Sequence, residues 1–182
     1  SWLAVAKPYL PVLAVIGIVI ALFATGIVPP SVLPGVGPPS PPDAPGQGSK
    51  AAGIDLEATE RTVHDRLEAD RNETASRTYD DGLADYAEYM NRAFVAIEYE
   101  ESRPDPVEAS EFGVGCQREP YAGQLPGTLS IADYDDEAAL ADDVAAALRE
   151  ETTDDTYDRE GLDLHVVDGS VYVFYAACSS SD

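Results

Sequence analysis

The sequence predicts a mixed α/β (α+β) domain, closed by an antiparallel hairpin and carried on an N-terminal membrane helix and a proline-rich stalk. Three observations predict this organisation. An uncharged, apolar segment lies near the start of a 182-residue chain whose formal net charge is −23. A run of prolines follows it, and beyond that run apolar residues recur first with helical and then with strand periodicity. The predicted boundaries are 1–28 for the anchor, 29–50 for the linker and 51–182 for the acidic domain.

The first element is the segment from Tyr9 to Val28, which is almost wholly apolar. At about 1.5 Å of rise per residue, a helix of this length spans the roughly 30 Å hydrocarbon core of a bilayer. A cleaved signal peptide and a buried core helix are the alternatives, but Ala24-Thr25-Gly26 is a poor cleavage site and the apolar run is long for a signal. Lys7 favours a cytoplasmic N-terminus, which places the acidic domain outside the cell.

A linker follows the predicted anchor. Eight prolines lie between Pro29 and Pro45, with glycines among them. This composition favours extended polyproline II structure and cannot bury a hydrophobic core. We therefore expect a stalk that lifts the domain from the bilayer.

The acidic domain carries a strong excess of Asp and Glu over Lys and Arg. Such a surface repels nucleic acid and anionic lipid head groups, so no nucleic-acid partner is expected. The excess resembles that of halophilic proteins from salt-loving archaea, whereas the tyrosines and the apolar periodicity argue against disorder. The expected partners are membrane lipid, through the anchor, and another surface or membrane protein.

Helical periodicity predicts three helices in this domain. The first starts near Ile54, the second follows it before residue 100, and the third runs from Asp136 to Glu151. The apolar face of the first predicted helix consists of Leu56, Val63 and Leu67. The apolar face of the second consists of Leu83, Tyr86, Ala87, Met90, Phe94 and Ile97.

Strand signals occupy the rest of the domain. Thr128 to Ile131 predicts a short strand before the third helix. Two apolar runs, Leu162 to Val167 and Val171 to Ala177, flank Asp168-Gly169, which is a strong hairpin turn signal. The chain is therefore expected to end in an antiparallel hairpin.

Two further features bear on export. Cys116 and Cys178 are the only cysteines, and a disulfide that closes their separation would stabilise the domain by about 4 kcal/mol. A thiol nucleophile is the less favoured alternative. Asn72-Glu73-Thr74 is an N-glycosylation sequon between the first two predicted helices, where a glycan would be tolerated.

Several segments, taken in order, resemble sequence motifs of a known family. His64–Arg71 resembles a helix motif H-x-x-V-N-x-x-R with Glu68 in place of Asn, and Tyr79–Ala84 resembles the motif W-D-x-x-L-A. Phe112–Cys116 resembles the segment before the motif G-E-N-I, and Arg118–Ala122 lies where G-E-N-I-A is expected. Val171–Cys178 resembles the terminal strand V-Y-V-T-Q-N-F-C. Over about residues 54–178, the domain thus resembles the CAP superfamily of cysteine-rich secretory, antigen 5 and pathogenesis-related 1 proteins. The resemblance implies an α-β-α sandwich with a small antiparallel sheet.

The departures from the family pattern concern its central cleft, where two His and nearby Glu residues can bind a divalent metal. Met90 occupies the position of the first His, and the region of the second, Glu151–Asp155, contains none. Glu119 is what remains of this set. The resemblance therefore implies no metal site, no cofactor and no catalytic residue, and His64 and His165 match positions outside the cleft.

Other catalytic motifs are missing from the sequence. It contains no G-x-S-x-G elbow, no H-E-x-x-H and no Walker loop, and its adjacent acidic pairs are expected to be solvated surface. The leading hypothesis is a membrane-anchored, catalytically degenerate CAP-like domain that acts as an extracellular binding or assembly module. The alternatives are an accessory subunit of a larger membrane or surface complex and a hydrolase that uses carboxylates around Glu119.

Overall fold

The computed structural model describes residues 37–100, 102–125, 129–151 and 156–181. The compact unit considered below is Pro39–Asp182. The predicted anchor and the first part of the linker lie outside the described residues. Within the described residues, no helix has the length and apolarity needed to cross a membrane.

The described chain contains three α-helices and seven short or medium strands, which confirms the predicted mixed α/β class. The helices are α1 (Leu56–Asp70), α2 (Asp81–Glu100) and α3 (Glu137–Glu151). The strands are β1 (Lys50–Ala51), β2 (Ile54–Asp55), β3 (Thr78–Tyr79), β4 (Tyr121–Gln124), β5 (Leu129–Ser130), β6 (Arg159–Val167) and β7 (Ser170–Cys178).

An aspartate side chain caps the N-terminus of each helix. Asp55 accepts a hydrogen bond from the Ala58 amide of α1, and Asp80 accepts one from the Leu83 amide of α2, both at 2.9 Å. Asp136 accepts the corresponding bond at the start of α3. Because these amides have no partner within the helix, the caps fix where each helix begins.

The long hairpin β6–β7 is the centre of the sheet. Its two-residue turn has Asp168 at φ 49° and Gly169 at φ 83°, so the predicted turn is confirmed. The strand order is β3-β6-β7-β4, and β5 also pairs with β7. The sheet is mixed rather than wholly antiparallel, because β3 runs parallel to β6.

Helices cover both faces of the hairpin, because successive side chains of each strand point to opposite faces. On one face Leu162, Leu164, Val173 and Tyr175 pack with apolar residues of α1 and α3. On the other face α2 lies against the sheet, and Ala176 and Cys178 join its core cluster. The domain therefore has three layers, with the hairpin in the middle.

Two findings differ from the sequence-based expectations. Phe94 and Ile97 of α2 are 42% and 51% exposed, so their predicted burial was wrong. The buried apolar positions in this half of the helix are the smaller residues Ala93, Val95 and Ala96, which let α2 pack closely on the sheet. In addition, Gln47 of the predicted linker forms a bridge with Val166 at the outer edge of β6.

Candidate functional site

A pocket lies at the outer edge of β6, where the neighbouring backbone leaves a gap. At one end of this edge β3 pairs with Arg159 and Glu160, and at the other end Gln47 pairs with Val166. The part of β6 between these two pairings faces a pocket that α1 and α2 also line. The cavity has a volume of about 310 Å³. Its acidic lining residues are Glu57, Glu60, Asp81, Asp85, Glu88 and Asp163.

Two of these carboxyl groups are buried. Glu60 is 8% exposed and Asp163 is 5% exposed. Glu60 Oε1 accepts a hydrogen bond from the Leu164 amide at 2.9 Å, and Asp163 Oδ2 accepts one from the Asn91 side chain at 2.8 Å. Among the described residues, the second oxygen of each carboxyl has no hydrogen-bond donor and neither carboxyl forms an ion pair. Since these second oxygens are not among the buried unpartnered atoms, they are open to the cavity and can accept a bond from a ligand.

The pocket raises the pKa of both buried groups. Burial is the largest cause of the raised pKa of Glu60, and the negative charge of Asp163 adds to it. Burial also raises the pKa of Asp163, with a further contribution from Glu88, against the lowering effects of Asn91 and Arg92. Because neighbouring buried carboxylates resist ionising together, the pair holds a proton to higher pH than an exposed carboxyl group does.

One guanidinium already lies on the wall of this pocket. Arg61 stacks over the ring of Tyr79, with 4.1 Å between its guanidinium carbon and the ring centroid. It also contacts Asp81 Oδ1 at 2.6 Å, and both charged side chains are largely exposed. A cation at this wall therefore meets both an aromatic face and a carboxylate.

A third buried acid, Glu160, belongs to a different cluster on the α1 side of the sheet. Arg71 contacts both of its oxygens, at 2.8 and 2.7 Å, while His64 contacts Oε1 at 2.8 Å. Tyr175 donates to Oε2. Although burial alone would raise the pKa of Glu160, the hydrogen bonds from His64, Arg71 and Tyr175 lower it to about 2.

This second cluster also has the spacing of a metal site, since ligand atoms of His64, Glu68 and Glu160 lie within 4.8 Å of one another. Arg71 occupies the position that a cation would need, because it contacts Glu68 at 2.6 Å as well as Glu160. We therefore assign the cluster a structural role in joining α1 to β6 and β7.

The sequence-predicted cleft residues lie elsewhere. Met90 is half-buried and packs against the core cluster of α2. Glu119 is exposed and lines, with Tyr86, a separate groove of about 590 Å³. The structure brings neither residue into the carboxylate pocket.

The predicted cysteine pair is confirmed as a disulfide-bonded pair, with 5.7 Å between the Cα atoms of Cys116 and Cys178. It ties the segment before β4 to the end of β7. Asn72 lies in the exposed segment between α1 and β3.

The buried acids of the pocket were missed from the sequence, although a signal for each is present. Glu60 falls on the apolar face of α1, between Thr59 and Val63, where the helical period predicts a core residue. Asp163 interrupts an apolar strand between Leu162 and Leu164. A charged residue at a predicted core position is the pattern that points to such a site.

Comparisons with known proteins give no relative from which a function could be inferred. No family model matches the chain, and neither the curated proteins nor the solved structures contain a match. Function is therefore inferred from the chemistry of the pocket.

Proposed function

We propose that this chain is a membrane-anchored, extracellular binding module with a CAP-like fold, and that its carboxylate pocket binds a cationic side chain of a partner protein. The observation that carries the proposal is the burial of two neighbouring carboxyl groups, Glu60 and Asp163, at an open cavity. Of the other four acidic lining residues, two are paired with arginines, and Glu57 and Asp85 add negative charge around the buried pair.

The burial of two neighbouring carboxyl groups opposes folding, because burial and their mutual repulsion disfavour the ionised forms. A carboxylate that is removed from bulk water costs more than a neutral carboxyl group, so the pair weakens the fold as it ionises. Apolar residues at positions 60 and 163 would fill the same places without that cost. A cationic ligand offsets the negative charge of the pair, so the arrangement is explained by binding better than by stability.

The size of the pocket favours an organic cation over a bare metal ion. A volume of about 310 Å³ corresponds to roughly ten waters at ~30 Å³ each, which is room for a Lys or Arg side chain. Arg61 already pairs with a tyrosine ring and a carboxylate at the wall, so a ligand cation is left with the buried pair and the other acids of the lining. The proposed ligand is therefore a guanidinium or ammonium group on a basic segment of a surface or membrane protein.

The location and fold in this proposal have separate support. The disulfide between Cys116 and Cys178 supports an oxidising, extracellular location. The order of helices and the terminal hairpin support the CAP-like part, and the apolar sequence from Tyr9 to Val28 supports the anchor. If the partner is a stable component of the membrane, the chain is an accessory subunit of that complex.

The test uses the full-length chain in detergent, with argininamide as the probe and citrulline amide as its isostere, which has the same α-amino group but an uncharged side chain. At constant ionic strength, we expect argininamide to raise the unfolding temperature progressively and citrulline amide to leave it unchanged, because binding to the folded state stabilises it. Glu60→Gln and Asp163→Asn should abolish the rise. Asp65→Asn, an exposed carboxyl change on the same helix, should retain it.

Equal responses to the two amides, or an undiminished response in both pocket variants, would contradict the proposal. Circular dichroism of each variant before the titration establishes that the loss reflects the pocket and not unfolding.

A hydrolase is the second candidate, and the raised pKa values of the buried pair favour it. A carboxyl group that holds its proton near neutral pH can act as a general acid, and an ionised neighbour can act as a base. The acids would then be Glu60 and Asp163 rather than Glu119. Turnover of glycoside or ester substrates that Glu60→Gln abolishes and Glu119→Gln preserves would favour this candidate over the binding module.

A further inference from the structure

The exposed segment between α1 and β3 contains a sequence motif that the proposed function does not use. Asn72, Glu73 and Thr74 are all exposed, and none of them belongs to a helix or strand. Asn91 is the only other asparagine; it is fully buried and lacks a Ser or Thr two residues later. The chain thus offers a single acceptor motif for N-linked glycan transfer.

The side chains of this motif already contact each other. Asn72 Oδ1 accepts hydrogen bonds from Thr74 Oγ1 at 2.6 Å and from the Thr74 amide at 3.0 Å. The Ala75 amide donates to the same oxygen at 3.1 Å. Among the described residues, the Asn72 Nδ2 group has no hydrogen-bond partner.

This arrangement suits the amide nitrogen to become a nucleophile. Hydrogen bonds to the carbonyl oxygen draw electron density from the amide nitrogen, so its proton is removed more easily. The hydroxyl of Thr74 supplies the shortest of the three bonds, which gives the third residue of the motif a chemical role. The free Nδ2 can accept a new bond without any existing contact being broken.

The surrounding structure tolerates a large group at this position. Neighbouring residues hold the ends of the segment, because Arg71 and Ser76 both bond to Glu68 of α1. Asn72 itself does not belong to the core clusters of the described chain or to the lining of its carboxylate pocket. A glycan at Asn72 would therefore extend into solvent and leave both the fold and the pocket unchanged.

We propose that Asn72 is an N-glycosylation site. The donor is an oligosaccharide activated through a phosphate ester at its anomeric carbon. Asn72 Nδ2 bonds to that carbon, the bond from the carbon to the phosphate oxygen breaks, and the phosphate leaves with the electron pair. A base of the transferring enzyme takes one Nδ2 proton. This inference rests on the extracellular location in the proposed function, but it is independent of what the pocket binds.

The test is intact-mass and peptide mass spectrometry of the full-length chain from a host that glycosylates exported proteins. A C-terminal tag with its own sequon marks each chain that has met the transferring enzyme, and only tag-glycosylated chains are counted. We expect a glycan on the Asn72 peptide of most of these chains. Asn72→Gln and Thr74→Ala should remove it, whereas Thr74→Ser, which keeps the hydroxyl, and Glu73→Gln should retain it.

An unmodified Asn72 peptide on tag-glycosylated chains would overturn the proposal. A mass increment that persists in Asn72→Gln would also overturn it, because the glycan would then lie elsewhere. Failure of the pocket to bind argininamide has no bearing on this result, so the two proposals fail separately.

Discussion

At the scale of single residues, Glu60 links the pocket to pH. Its folded-state pKa is raised above the unfolded value, so the folded chain keeps a proton that the unfolded chain has lost. The charges that act on the pair come from Glu57 of α1, Glu88 and Arg92 of α2, and Asp163 of β6. The free energy of unfolding should therefore fall as pH rises above the ordinary carboxyl range of about 4.

We predict that Glu60→Gln removes part of this fall, because the amide keeps the bond from Leu164 but cannot ionise. At pH 8 the variant should be more stable than the parent chain by about 1–2 kcal/mol, and at pH 4 the two should be nearly equal. Urea unfolding across this range measures the difference. Asp65→Asn is the control, and a pH profile that Glu60→Gln shares with the parent chain would contradict the prediction.

Glu160 shows the opposite case of a buried acid that is fully paired. Its lowered pKa means that its contribution to stability is present above the unfolded pKa and is lost as pH falls toward 2. Glu160→Gln removes one of the two carboxylates that pair with Arg71 and leaves only Glu68, so we expect a loss of about 3 kcal/mol at neutral pH. Asp142→Asn removes the exposed pair with Arg66 and should cost less than about 1 kcal/mol. Equal losses of unfolding free energy in the two variants, measured by urea unfolding, would contradict this distinction.

At the scale of elements, the close approach of α2 to β6 depends on Gly161. A Cβ atom there would lie 2.3 Å from the Ala84 amide nitrogen and 2.6 Å from the Leu83 carbonyl carbon. Both atoms are helix backbone, so the whole helix must shift. We predict that Gly161→Ala costs about 3 kcal/mol, whereas Gly123→Ala, with nothing within 4 Å, changes stability by less than about 1 kcal/mol. Thermal unfolding of the two variants measures the contrast, and similar unfolding temperatures would contradict it.

Elements were more predictable from the sequence than their contacts. The Ala-rich pattern of α3 and the Asp168-Gly169 turn depend on local periodicity and backbone conformation, so they could be located from neighbouring residues. The exposure of Phe94 could not be predicted in this way, because it depends on which side of α2 meets the sheet. The pocket depends on side chains 103 positions apart, Glu60 and Asp163, which only the three-dimensional pairing brings together.

At the scale of the whole molecule, the disulfide limits the freedom of the unfolded chain. Its cysteines are 62 residues apart, so the chain-entropy relation gives a contribution of about 4 kcal/mol. We predict that Cys116→Ser with Cys178→Ala lowers the free energy of unfolding by about this amount. Reduction of the parent chain should reproduce the loss and should leave the double variant unaffected. A double variant as stable as the oxidised parent would contradict this assignment.

The central claim concerns the pocket, and it is tested most directly by calorimetric titration of the full-length chain with argininamide in two buffers of different ionisation enthalpy. Because a bound cation favours the ionised form of the buried pair, we predict saturable binding with net proton release at pH 7. Both should be lost in Glu60→Gln with Asp163→Asn and kept in Asp65→Asn. Binding without proton release, or proton release that the pocket variants retain, would contradict the account.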